Sequence, residues 1–390
     1  MRRNRIPARG RRSREIDHLV RLATGLSESG SRVEDGFWEN RLAHVIDRLL
    51  EAGDDETFNS AFDQLYNKNS RAYDQLADLI EARCEGNSVE TRGEAVEVLL
   101  IAAPIMAWSR FSIGSGAIPL DLLATLHVQL QAHVVAAEAR LVLADFLFSP
   151  DQMPPGPGAT RRLARRLGAA VADAQDLHIN PAELPETLRF ISDTRFLIGA
   201  IAAPRGRALF RWNEEDGSRE QALSEWQTQS GPSIGALLPG CAAELLLPDA
   251  FYVAWRQADR QGRPFSLRAS VAYLTTSLDV ASERLRAVVA PFYEQEIEEY
   301  RIGFTLGPRD EVVHGVVWQL IGNEDESADG VNEITTVLND CGVKDVIALE
   351  QRMPVEFCED CGAPLYPNAE GEAVHAELPE HVAQSTMHLH

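Results

Sequence analysis

Cys358-Glu359-Asp360-Cys361-Gly362, near the C-terminal end, constrains its local fold more tightly than any other run in this chain. Two thiols three positions apart, with a glycine after the second to admit a positive φ, form the knuckle of zinc ribbons. A tight turn there brings both sulfurs to one tetrahedral ion. Half a site is thereby specified. His375 and His381 follow in the pattern C-x13-H-x5-H, close to the spacing of zinc-finger ligands. The expected cofactor is therefore structural zinc, held by Cys358, Cys361, His375 and His381. Pro379 falls between the histidines and interrupts the helix that usually carries such a pair. Cys341, His388 and His390 stand as other sources of ligands, as does a second chain in a homodimer. A reduced, metal-free pair on a surface turn is the competing reading. A thioredoxin-like redox pair fits less well, because no strand-to-helix transition places Cys358 at a helix N-terminus.

The rest of the chain is ordinary in composition. Its 390 residues are 45% hydrophobic and 25% charged, which suits a soluble protein of two or three domains. No apolar run reaches the roughly 18 residues of a membrane span. The basic start meets Glu15 and Asp17 without an apolar stretch behind it, unlike a signal peptide. Five cysteines show no disulfide framework, so the expected address is a bacterial cytoplasm. The net charge is −22, yet Arg2, Arg3, Arg5, Arg9, Arg11, Arg12 and Arg14 crowd the first residues. Residues 1–15 read as a disordered basic arm. Weak, non-specific contact with nucleic acid through those arginines is the alternative to a solvated tail.

Residues 16–118 read as an α-helical domain. Apolar stripes run from Ile16 to Leu26, Phe37 to Leu50, Phe58 to Tyr66 and Leu76 to Ile80. Glu94 to Trp108, apolar nearly all round, reads as the domain's central helix. Residues 119–190 are expected to hold a strand pair and a helix. Leu126, Val128, Leu130, Ala132 and Val134 alternate with His127, Gln129, Gln131 and His133, Leu141 to Phe148 forms a second strand, and Arg161 to Ala174 is helical.

An internal repeat organises residues 191–357. Ile198-Gly199-x4-Pro204-Arg205-x6-Trp212 recurs as Ile302-Gly303-x4-Pro308-Arg309-x8-Trp318. Each Trp precedes an acidic turn, then a helix, then a cysteine beside a glycine (Gly240-Cys241 and Cys341-Gly342). Each copy reads strand, turn, strand, helix, strand, with a connecting strand near Ser270 and a helix from Val280 to Glu298. The fold class is therefore α+β: a helical N-terminal domain, a duplicated strand-strand-helix-strand domain, and a small knuckle tail over 358–390.

Other motifs fail on context. Gly231-Pro232-Ser233-Ile234-Gly235 matches a nucleophile elbow, but the run before it is helical, so Ser233 is not placed on a strained strand-to-helix turn. The small-residue loop from Ser109 to Gly116 offers amides and Arg110 to an anion, against the plainer reading of an inter-domain turn. His127 and His133 read as solvated. The expected function is thus a cytosolic binding or regulatory factor with a macromolecular partner. The alternative is a small-molecule enzyme with its site between the repeats, using Arg205, Arg309 or the Trp pair.

Four runs resemble an uncharacterised family of proteobacterial proteins, the domain of unknown function 2863. They are Ser29-Gly30-Ser31-Arg32-Val33-Glu34-Asp35, Ala103-Pro104-Ile105-Met106-Ala107-Trp108-Ser109-Arg110, Phe146-Leu147-Phe148-Ser149-Pro150-Asp151-Gln152 and Cys358-Glu359-Asp360-Cys361-Gly362. The resemblance spans most of the chain and implies no reaction and no catalytic residue.

Overall fold

A computed structural model describes residues 8–66, 68–91, 93–307, 311–322, 324 and 328–379. Four helices come first: α1 (Ala8–Ser27), α2 (Arg32–Ala52), α3 (Asp55–Leu65) and α4 (Ser70–Glu85). Their apolar stripes meet as Leu19, Leu22, Leu42, Ile46, Leu49, Phe58, Leu76 and Ile80. The ends are set locally. The Ser31 hydroxyl accepts the Glu34 amide, the Asn69 side chain accepts that of Ala72, and Gly53 ends α2 at φ 65°. α1 begins at Ala8, so helix replaces the expected disorder over residues 8–15, and Arg12 reaches Glu56 at 2.6 Å. Arg2, Arg3 and Arg5 lie outside the described residues.

From Gly86 the chain enters a sheet. β1 (Gly86–Thr91) and β2 (Glu94–Trp108) form a hairpin, followed by β3 (Gly116–Ala117), α5 (Leu120–His133), β4 (Arg140–Phe148) and α6 (Pro157–Asp173). β5 (Ser192–Pro204), α7 (Arg219–Leu237), β6 (Ala242–Leu245) and β7 (Asp249–Ala250) complete the unit. The strand order is β1-β2-β5-β4-β3, with β6 and β7 also on β2, and all these pairings are antiparallel.

The expected helix over Glu94–Trp108 is strand β2, and the reason is its burial on both faces. Val96, Val98, Leu100, Ala102 and Met106 pack toward α6 and the long helix Phe251–Leu278 that follows β7. Ile101, Ala103, Ile105 and Ala107 pack toward α5 and α7. A strand covered on both sides loses its polar alternation and is apolar all round. Pro104 lies within this strand, opposite Phe196.

The expected strand over Leu126–Val134 is instead part of α5. Leu123, Leu126 and Leu130 are its buried positions, so the helical spacing governs and the alternation is coincidental. β4 is a strand as expected, but its partners are β3 and β5. Helix α6 lies where expected.

Helix α8 (Phe251–Leu278) replaces the expected strand near Ser270. Its first half packs Phe251, Ala254, Ala258 and Phe265 on the first sheet, and its second half packs Leu267, Val271 and Leu274 on the next. Likewise the expected helix Val280–Glu298 is replaced by β8 (Leu285–Tyr293) and the start of β9 (Ile297–Leu306). Val288, Val289 and Ala290 are buried on both faces there, repeating the ambiguity of β2. β10 (Val312–Gln319), α9 (Ala328–Asp340), β11 (Asp345–Ala348) and β12 (Met353–Pro354) follow. The order is β10-β9-β8-β11, with β12 also on β8. β11 and β12 run parallel to β8, the others antiparallel. One face packs on α8 and α9 through Ile302, Phe304, Val316, Trp318, Ile334 and Leu338. No helix among the described residues is long and apolar enough to cross a membrane.

The architecture is α+β. The repeat's two copies fall in different sheets and differ in their elements. Copy one runs β5, a turn, a short 3-10 segment at Arg211–Asn213, α7 and β6, and copy two runs β9, β10, α9 and β11. Moreover β6 is antiparallel to β2, whereas β11 is parallel to β8. Pro308 and Arg309 lie outside the described residues.

At the seam between the helices and the first sheet, the Glu85 carboxylate accepts the Tyr252 amide at 3.2 Å, at the start of α8. Burial, with Glu81 and Asp249 nearby, raises the Glu85 pKa from 4.5 to about 7. An acid raised on folding carries no penalty below its unfolded pKa and carries the full one above its folded pKa. Glu85→Gln should therefore leave stability unchanged near pH 4, and raise it by about 1–3 kcal/mol at pH 8. Paired urea melts at the two pH values check this, and an equal effect at both would refute it.

Candidate metal centre

The C-terminal segment covers the other face of the second sheet. Its knuckle is a tight hairpin. Phe357 bridges Pro364, the Cys358 amide donates to Ala363 O at 2.7 Å, and Gly362 donates to Cys358 O at 2.8 Å. Gly362 turns the chain at φ 72°, in the left-handed region that the sequence reserves for it. A second hairpin, β13 (Tyr366–Pro367) with β14 (Ala373–Val374), returns His375 to the thiols. Its loop is closed by Asn368, whose side-chain Oδ1 accepts the Glu372 amide at 2.8 Å.

Cys358 Sγ, Cys361 Sγ and a ring nitrogen of His375 lie within 4.8 Å of one another. His375 Nε2 sits 3.2 Å from Cys361 Sγ. Ligands at tetrahedral Zn–S and Zn–N distances are themselves separated by about 3.5–4 Å, so the three atoms need only small adjustments to share an ion. The amides of Cys361 and Asp360, with the Cys361 side chain, hold the Cys358 thiol below its ordinary range, favouring the thiolate that a metal requires. On the far side of the imidazole, Nδ1 is buried without a hydrogen-bond partner, and the Glu377 carboxylate lies 3.6 Å away, just outside hydrogen-bond range. The cluster can therefore hold a metal ion. His381, His388 and His390 lie outside the described residues. Cys341 follows α9, and the cluster that gathers here does not include it.

The segment is fixed to the sheet by a residue that sequence reasoning passed over. Arg301 on β9 is fully buried. Its Nε donates to Glu299 at 2.6 Å, and its Nη1 donates to Glu356 O at 2.7 Å and Leu365 O at 2.8 Å. Those carbonyls belong to the two legs of the knuckle. The guanidinium also lies 4.4 Å from the ring centre of Phe292 and 5.2 Å from that of Phe357. Beside it, a Cβ on Gly303 would stand 2.2 Å from Pro367 O, and one on Gly315 would stand 2.2 Å from the Tyr366 ring. These two glycines leave the sheet bare where the segment lies closest. The legible signal was Glu299-x-Arg301, an acid and a base two apart and hence on one face of a strand. Asp193-x-Arg195 repeats it on β5.

The remaining candidates do not assemble into a second centre. Ser233 is buried within α7. The Ser109–Gly116 loop is held from beneath by Arg195, which donates to Ile113 O and Gly114 O at 2.7 Å each, while Arg110 stacks on the exposed ring of Phe111. His127 bonds Leu141 O at 3.0 Å. His133 lies in the last turn of α5. Arg205 is exposed beside Glu97, Trp212 stacks on Phe210 against the first sheet, and Trp318 is buried in the core of the second.

No curated protein and no solved structure matches this chain. The family model described as a protein of unknown function, DUF2863, matches residues 4–389. The match covers nearly the whole chain, knuckle included, so the chain belongs to the DUF2863 family.

Proposed function

We propose that this chain is a binding or regulatory factor whose C-terminal segment is closed by one structural zinc ion. The carrying observation is the convergence of Cys358, Cys361 and His375 from two hairpins onto one point. Two thiolates and an imidazole are a donor set that favours zinc, and thiolate-rich sites on rigid turns are typically closed and structural. His381, two residues past the last described position, is the proposed fourth ligand. The ion would supply charge neutralisation and a cross-link. The chain's own residues supply the orientation, through the amides at Cys358 and the β13–β14 hairpin that carries His375. A polar tail with few apolar residues cannot pack itself, and metal binding can order it as a fixed surface for a macromolecular partner.

Protein prepared without chelators should contain one zinc per chain by elemental analysis. X-ray absorption should give two sulfur neighbours at about 2.3 Å and nitrogen at about 2.0–2.1 Å. Cys358→Ser should reduce the metal content severalfold. A metal-free wild-type chain, or one whose content is unaffected by that substitution, would refute the reading.

A further inference from the structure

We propose that Arg301, which touches no metal ligand, sets the metal affinity of the C-terminal centre by coupling ion binding to docking of the segment on the sheet. The inference rests on the zinc reading above and adds a residue and a linkage to it. The two halves of the ligand set reach the site by separate routes. Cys358 and Cys361 are carried by the knuckle, and His375 by the β13–β14 hairpin. One guanidinium nitrogen grips both legs of the knuckle, at Glu356 O and Leu365 O, and the legs are further joined where the Leu365 amide donates to Glu356 O at 3.2 Å. The hairpin that carries His375 is seated on Gly303 and Gly315, and the Glu377 amide donates to Val312 O at 2.8 Å just past the histidine.

Both carriers are thus tied to β9, the knuckle through Arg301 and the hairpin over Gly303, and the hairpin is tied to β10 as well. Docking raises the effective concentration of imidazole at the thiolates, and an ion joining the two carriers strengthens docking in return. Linkage requires this coupling to be the same in both directions. Arg301 is suited to the role because its position is over-determined. Glu299 anchors it, Phe292 backs it on the sheet side, and Phe357 covers it on the knuckle side. Phe357 is itself about half exposed, so truncating it loosens the knuckle's grip without opening a core.

The test is zinc affinity, measured on the full chain by competition with a chromophoric chelator, for the wild type, Arg301→Lys and Phe357→Ala. Lysine keeps a charge for Glu299 but cannot reach two carbonyls with one planar group. Affinity should fall by about 5–150-fold in Arg301→Lys, the usual range of coupling between sites. Phe357→Ala should shift it in the same direction by a smaller factor. By reciprocity, stripping zinc from the wild type should speed hydrogen exchange at the Leu365 amide by a factor comparable to that loss of affinity. Wild-type affinity in both variants overturns the coupling. Should Arg301→Lys fail to fold, Phe357→Ala decides alone: weaker binding supports the proposal and unchanged binding overturns it. A wild-type chain that takes up no zinc would instead overturn the metal centre, a result distinct from either.

Discussion

Arg195→Met is expected to lower the stability of the first sheet by about 3–5 kcal/mol, the cost of breaking a buried, hydrogen-bonded charge pair by removing one partner. Arg195 is almost wholly buried. It pairs with Asp193 and donates to Ile113 O, Gly114 O and Thr194 O at 2.7, 2.7 and 2.9 Å. Methionine replaces the aliphatic stem but supplies no donor, so three carbonyls and a carboxylate lose their partner together. Burial already raises the pKa of Asp193, with the Arg195 charge opposing that rise. Without the arginine the carboxyl is pushed further toward its neutral form. The urea midpoint followed by far-UV circular dichroism should therefore fall with little change in slope. Asp193→Asn/Arg195→Met should recover part of the loss, because no buried charge is then left alone. A loss below about 1 kcal/mol would place the pair among exposed ion pairs and refute the argument.

How much of this was legible follows from how each element is covered. The N-terminal helices are packed on one side only, so their stripes stood out in the sequence and were found at Leu42, Ile46 and Leu49. Strands β2 and β8 are covered on both faces. Their apolar runs carry no period, and length then favours a helix wrongly. In α5 the error ran the other way. Leu126 and Leu130 face the core while Val128 is largely exposed, so one exposed valine completed a false alternation.

At the candidate site the knuckle and His375 were legible because ligand chemistry demands particular residues at particular spacings. For Arg301 and Arg195 the sequence offers only the acid two positions earlier, Glu299 and Asp193. Their other partners, the carbonyls of Glu356, Leu365, Ile113 and Gly114, come from distant segments of backbone. The repeat around Ile198-Gly199 and Ile302-Gly303 marks a shared need more securely than a shared topology. In each case a carbonyl approaches the bare glycine: Val142 O at 2.6 Å from a Cβ placed on Gly199, and Pro367 O at 2.2 Å from one on Gly303.

His314 should make the second sheet acid-sensitive in a defined window. The ring lies on β10 between Tyr273 and Phe304, with Nε2 3.1 Å from the Ser270 hydroxyl of α8. Burial lowers its pKa from 6.5 to about 4, with no carboxylate among the causes to offset it. The unfolded chain therefore binds a proton below pH 6.5 that the folded chain refuses until about pH 4. Stability is fully present above the unfolded pKa and is lost as the pH falls through that interval. His314 as a residue is only partly buried, and the expected loss is taken as about 2–3 kcal/mol rather than the full linkage value. His314→Gln removes the titration while keeping an amide that can bond Ser270. It should cost stability at pH 7.5 through imperfect packing, yet show a flatter profile between pH 6.5 and 4. The measurement is the urea midpoint across that range for both chains, in the Glu85→Gln background so that the opposing titration at the α4–α8 seam is silent. Parallel profiles would refute the assignment. Convergence of the two curves toward pH 4 is the expected result, because there the wild type has already lost what the variant never had.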